Sequence, residues 1–145
     1  MAVGDVDSLD SKWIDVFRFY DPVQSVAARM YEDPDYEVRG RLVYPGEIIV
    51  ESSFVEGRVR LCLSVRDLKE WSSCLQELEN EEPVAWPTEE RTARVEVVPD
   101  DPLVVTVVDS PSSQVSVRVP VDVDLDECLV ENRELLKGAF ARLRR

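Results

Sequence analysis

The chain of 145 residues contains no histidine. Histidine is the usual general base near neutral pH and the commonest metal ligand. Its absence excludes histidine-based triads and most zinc sites. Glycine is scarce as well, at five residues. There is no glycine-rich phosphate loop, no G-x-S-x-G and no S-x-x-K. Ser73 and Cys74 have no histidine to serve as their base. No apolar run nears the roughly 18 residues that would suggest a membrane span. Residues 1–12 carry Asp5, Asp7 and Asp10 and no apolar block, so they read as a flexible lead-in and not as a secretory signal. The expectation is a cytosolic protein with a single domain over residues 13–145.

Cysteine is limited to Cys62, Cys74 and Cys128, an odd number with no C-x-x-C spacing. Without histidine they cannot complete an ordinary Cys/His zinc site. They read as reduced thiols that pack as small apolar groups. Cys128 falls on the apolar side of a predicted helix. Cys62 falls on the polar side of a strand, which makes it the more reactive thiol.

What the chain has in excess is acid. Thirty carboxylate residues face 17 basic ones, for a net charge of −13. That balance argues against a nucleic-acid partner, because phosphate-backbone binding needs clustered Lys and Arg. The charge is also uneven. From residue 133 onward Arg133, Lys137, Arg142, Arg144 and Arg145 face only Glu134, a local charge of +4 that leaves −17 for the rest. Cations suit a helix C-terminus. Arginine greatly outnumbers lysine, and valine is plentiful where isoleucine and asparagine are few. GC-rich codons favour that bias, so a high-GC bacterial source is expected.

Hydrophobic periodicity places the elements. Strands are predicted over Trp13 to Tyr20, with Trp13, Phe17 and Phe19 on one face, and over Gln24 to Tyr31, Tyr36 to Tyr44 and Ile48 to Val55. Pro45-Gly46 reads as a type II turn and Glu56-Gly57 as a tight hairpin. In the return strand from Arg58, Val59, Leu61, Leu63 and Val65 alternate with Arg58, Arg60, Cys62 and Ser64. The period then changes. Leu68, Trp71, Leu75 and Leu78 mark one face of a helix from Asp67, with Asp67 as N-cap, Glu70 as its capping-box partner, and Pro83 and Pro87 beyond its end. Three more strands follow, over Arg91 to Val98, Leu103 to Val108 and about Val115 to Val121. A last helix runs from Leu125 to Leu143, capped by Asp124 or Asp126. This order predicts an α+β fold of antiparallel meanders: about eight strands, one helix after the fifth and one helix at the C-terminus.

Two segments draw attention as sites. Asp122, Asp124 and Asp126 begin like a calcium loop, D-x-D-x-D. That motif then needs glycine where Glu127 stands, and glutamate at its twelfth position where Arg133 stands. Alternating valine and aspartate running into a helix N-terminus explains the acids without a metal. No cofactor is expected. Asp100-Asp101, between two prolines, read as turn formers. The second segment is the acidic loop from Glu79 to Glu90. Trp86 lies there beside Glu81, Glu82, Glu89 and Glu90. An exposed aromatic ringed by acids is a partner hot spot; a tryptophan plugging the end of the core is the plainer reading.

The stretch from Arg58 to Glu79 runs Arg-Val-Arg-Leu-Cys-Leu-Ser-Val-Arg-Asp-Leu-Lys-Glu-Trp-Ser-Ser-Cys-Leu-Gln-Glu-Leu-Glu. A strand flows into a helix carrying D-L-x-x-W-x-x-x-L-x-x-L, followed by an acidic loop and more strands. This resembles a family of uncharacterised small actinobacterial proteins and is more distantly similar to the WapI-type immunity proteins of bacterial polymorphic toxin systems. The likeness implies a compact α+β bacterial protein and supplies no catalytic residues.

The leading expectation is a non-enzymatic acidic binding protein, an immunity-type inhibitor or regulator of a basic protein partner, which contacts it through Trp86, Glu81, Glu82, Glu89 and Glu90. One alternative is a carboxylate-based hydrolase or a metal-dependent enzyme using Asp122, Asp124 and Asp126. A second is a small-ligand or carbohydrate-binding β-module with an open aromatic cleft at Trp86 or Tyr44.

Overall fold

The computed structural model describes residues 11–88, 92–110 and 112–143. Among these lie nine strands and two helices: β1 (Trp13–Tyr20), β2 (Ser25–Tyr31), β3 (Tyr36–Val38), β4 (Arg41–Glu51), β5 (Glu56–Leu63), α1 (Val65–Glu79), β6 (Val84–Trp86), β7 (Arg94–Val98), β8 (Leu103–Val108), β9 (Ser116–Val121) and α2 (Leu125–Leu143). They form two antiparallel sheets. In the first, β1 pairs β2, β2 pairs β4, and β4 also carries β3 and β5; the second runs β6-β7-β8-β9. The α+β class, the helix after the fifth strand and the C-terminal helix are as the sequence predicts. No helix among the described residues is long and apolar enough to cross a membrane.

The sequence reading misplaces several boundaries. Pro45-Gly46 is no turn; both residues lie inside β4, opposite Cys62 and Leu61. Glycine is there for close approach, because a Cβ at Gly46 would sit 2.8 Å from the Arg29 carbonyl oxygen. The chain turns instead at Arg39-Gly40, both at positive φ (53° and 78°). These are the two middle residues of a type I′ hairpin joining Val38 to Arg41. The next hairpin turns at residues 52–55, before Glu56-Gly57, which open β5. A strand is also missed: β6 lies within the segment taken as an acidic loop.

Trp13 does not share a face with Phe17. Pairing steps from Asp15↔Arg29 to Phe17↔Ala28, so Val16 is an unpaired bulge. The extra residue flips the strand's alternation, and Val16 and Phe17 are both buried. Phe17 and Phe19 enter the core. Trp13 stays half-buried on the other side, edge-on to Tyr31 with the Arg29 guanidinium 4.2 Å above its ring.

Helix α1 starts two residues before the expected point. Ser64, in an extended conformation, is its N-cap, and Asp67 is the capping-box partner, not the cap. The Ser64 N–H donates to Asp67 Oδ2 at 2.8 Å, while Ser64 Oγ accepts from the Asp67 N–H at 3.4 Å. The helix ends at Asn80, before either proline. The Glu81 N–H donates to the Leu78 carbonyl and the Glu82 N–H to the Glu77 carbonyl, both at 2.9 Å. With Glu81 at φ 60° this is a Schellman motif carrying glutamate where glycine is usual.

Leu68, Trp71, Cys74, Leu75 and Leu78 form the buried face of α1. Trp71 and Trp86 pack at a tilt of 49° with ring centroids 5.3 Å apart, and the Phe17 ring lies 5.0 Å from that of Trp71. Both sheets and both helices share this one core. Helix α2 packs on β1, where a side chain closes the sheet edge. The wholly buried Asn132 accepts from the Arg18 N–H at 2.7 Å and donates to the Arg18 carbonyl at 3.0 Å. Its amide thus copies the two bonds that a neighbouring strand would make, and an exposed edge is a template for unwanted pairing.

Candidate partner-binding groove

The structure removes Trp86 from the surface proposed around it. Trp86 is fully buried in β6, opposite Val95, and its Nε1–H donates to the Asp67 carbonyl at 2.7 Å. The aromatic plugs the core and offers no face to a partner. Tyr44 is buried as well, so no open cleft forms at either aromatic. Glu81 and Glu82 are exposed at the end of α1. Glu89 and Glu90 lie outside the described residues, as do residues 1–10 of the expected lead-in and Arg144 and Arg145 of the basic end. Ser11 and Lys12, at the end of that lead-in, are tied down: the Lys12 carbonyl accepts from the Glu32 N–H, and the Ser11 carbonyl from Arg142.

The acids gather elsewhere. A groove of about 430 Å³ opens where the β1–β2 turn meets the start of α2. Asp21, Asp122, Asp124, Glu127 and Glu131 line it, with Arg18 the one cation among its lining residues. Asp21 builds the turn. Its Oδ1 accepts from the Val23 and Gln24 N–H groups at 2.7 and 2.8 Å, an Asx turn ahead of Pro22's neighbours. Its Oδ2 accepts from the Asp122 N–H at 2.8 Å and so joins the turn to the end of β9. The bond from Asp122, with those from Gln24 and Val23, holds the Asp21 carboxyl below the usual carboxylate range against partial desolvation. A carboxylate fixed as an anion is no general acid.

Asp124 caps α2: its Oδ1 accepts from the Glu127 N–H at 3.1 Å, and its carbonyl from the Cys128 N–H. Of the two expected caps the structure selects Asp124. Asp126 stands in the first helical turn, where the dipole favours acid, and does not line the groove. Asp122, Asp124 and Asp126 therefore do not converge. Among the described residues no three Asp, Glu or Cys side chains come together in a way that could hold a metal ion. On the opposite wall the Tyr20 hydroxyl donates to Glu131 Oε1 at 3.2 Å, and the Arg18 guanidinium lies 4.0 Å above the Tyr20 ring.

The exposure of the cysteines follows their positions. Cys62 is exposed, and Cys74 and Cys128 are buried. Burial pushes both buried thiols up to about 12, so neither is a ready nucleophile. Cys128 forms part of the groove floor, beside the Asn132 amide.

The groove was not legible as one site because its two halves lie a hundred residues apart. Asp21-Pro22 reads only as a turn and Val121 to Glu127 only as a strand end and cap. No curated protein and no solved structure matches the chain. Residues 14–143 match the model of the family of unknown function DUF5959, and the chain belongs to that family.

Proposed function

We propose that this protein is a cytosolic, non-enzymatic binding protein that holds a basic segment of a partner protein in the acid-rimmed groove between the β1–β2 turn and α2. The observation that carries the reading is the convergence of Asp21, Asp122, Asp124, Glu127 and Glu131 on one concavity that holds a single arginine. A concave site lined with one sign of charge focuses its field, steers an oppositely charged partner and speeds association. The net charge of −13 extends that steering to the whole surface. The strand-to-helix stretch from Arg58 to Glu79 supports the finer reading, an immunity-type inhibitor or regulator from an actinobacterial source, with a basic toxin as its partner.

The test uses the chain as bait in lysate of its source organism, beside a variant carrying Asp122→Asn and Glu127→Gln. Neither side chain is a partner in the fold's own hydrogen bonds described above, so the variant keeps its structure. A basic protein retained by the wild type at low salt, released at high salt and not retained by the variant is the expected result. Capture of nothing at either salt, or equal capture by both baits, overturns the proposal.

A further inference from the structure

The end of the first sheet that carries the groove also carries the most exposed large apolar side chains of the described residues beside it. Phe54 is 94% exposed and Val23 is 64% exposed. Strand register explains why they are neighbours. Ser25 pairs with Glu51, so the β1–β2 turn and the β4–β5 turn leave the sheet at the same end. With strands about 4.8 Å apart, the two turns stand roughly 10 Å from each other. Isolated exposed apolar residues are ordinary on a surface. These two differ because each stands on a turn whose backbone is pinned by hydrogen bonds. Ser52 Oγ accepts from the Phe54 and Val55 N–H groups at 3.1 and 2.9 Å, and the Ser52 N–H donates to the Val55 carbonyl. Val23 sits on the Asp21 turn, closed by the bond from the Asp21 N–H to the Gln24 carbonyl. A turn backbone fixed in advance loses little freedom on binding.

We infer that Phe54 and Val23 are apolar anchors that seat in a cleft of the same basic partner whose charged segment occupies the groove. This rests on the groove reading and adds what the partner must present: cations beside an apolar cleft. Charge decides between this occupant and a membrane. Glu51 and Glu56 flank the Phe54 turn and are exposed, and Asp21 and Asp122 lie at the other turn. That rim repels an anionic lipid surface and complements a cationic protein.

The experiment titrates the full chain, by calorimetry, with two eight-residue peptides of equal charge, alternating Arg-Leu and alternating Arg-Ser. Each spans about 27 Å when extended, enough to reach from groove to turns. Burying one phenylalanine changes affinity by at least about tenfold. The Arg-Leu peptide is expected to bind about tenfold tighter than the Arg-Ser peptide. Phe54→Ser removes most of that difference, Val23→Ser part of it, and Phe54→Leu restores it. Both serine variants alter exposed apices, and an unchanged melting temperature confirms their fold. Equal binding of the two peptides to the wild type, or an Arg-Leu affinity unmoved by Phe54→Ser, overturns the anchors while leaving the groove standing. Binding to phosphatidylcholine vesicles that Phe54→Ser abolishes overturns them in favour of a lipid surface. Failure of both peptides to bind removes the groove reading and the anchors together.

Discussion

Replacing Asn132 tests how the edge of the first sheet is closed. In the native chain this amide accepts from the Arg18 N–H at 2.7 Å and donates to the carbonyls of Arg18 and Cys128 at 3.0 and 2.9 Å. Alanine deletes all three bonds. The Cys128 carbonyl loses least, because it sits inside helix α2. The Arg18 N–H and carbonyl lose their edge partner altogether, and each unsatisfied buried group costs about 1–3 kcal/mol. Water reaching one of them lowers the sum, so Asn132→Ala should destabilise by about 3 kcal/mol, or about 10 °C in melting temperature for a chain of this size. Asn132→Asp separates shape from charge. It keeps an acceptor for the Arg18 N–H but turns a second oxygen toward two carbonyls in a buried site. Burial and those carbonyls raise the carboxyl's pKa in the folded state. A raised carboxyl binds its proton more tightly when folded, so this variant gains stability as pH falls from neutral toward 5. Urea denaturation at the two pH values measures both effects, and hydrogen exchange at the Arg18 amide localises them. An Asn132→Ala loss below about 1 kcal/mol, with Arg18 still protected, would refute the strand-mimic reasoning.

Other substitutions probe the remaining joints. Glu81→Gly should stabilise by about 0.5–1 kcal/mol, since the left-handed conformation costs glutamate about 1–2 and glycine gives back part of that as chain entropy; urea midpoints decide it. Ser64→Ala should cost about 1 kcal/mol by opening the capping box of α1, read in the same assay. Trp86→Phe should cost about 1 kcal/mol more than Trp71→Phe, because the Trp86 Nε1–H is bonded to the Asp67 carbonyl whereas the buried Trp71 Nε1–H finds no hydrogen-bond partner among the described residues. Asp21 has a lowered carboxyl pKa, so its contribution is present above the ordinary aspartate value and lost as pH falls through the folded one. Thermal melts from pH 5 to pH 2 should therefore fall less steeply for Asp21→Asn, from a lower start, than for the wild type.

An element is legible in the sequence where the contact that decides it is local. Helix α2 is legible at Leu125 to Leu143 because its periodicity and its cap lie within a few residues of each other. Cys62 and Cys128 fell on their proper faces for the same reason. The failures share a cause too. The Val16 bulge leaves no local sign, yet it reverses which face Trp13 occupies. Gly46 looked like a turn residue because glycine serves both turns and close packing, and only the Arg29 carbonyl across the sheet distinguishes them. Trp86 reads two ways, as a core plug and as an exposed contact, because its neighbours in sequence are acids. Its neighbours in space are Trp71 and Phe17.

The groove shows why a count of acids overstates what a site can offer. Asp21 is committed to three backbone N–H groups, Asp124 to the first turn of α2, and Glu131 to the Tyr20 hydroxyl. These three shape the concavity, and their negative charge contributes to its field at a distance. Asp122 and Glu127, both exposed, have no such structural duty among the described residues. They are the carboxylates that can turn toward an incoming cation without loosening the fold. Neutralising them should therefore slow association and reduce its salt dependence while leaving stability unchanged, since rim charges act mainly on the on-rate. Neutralising Asp21 or Asp124 should do the reverse and lower the melting temperature first. The division between a charge that builds the groove and a charge that uses it is set by which backbone N–H groups each carboxylate already holds.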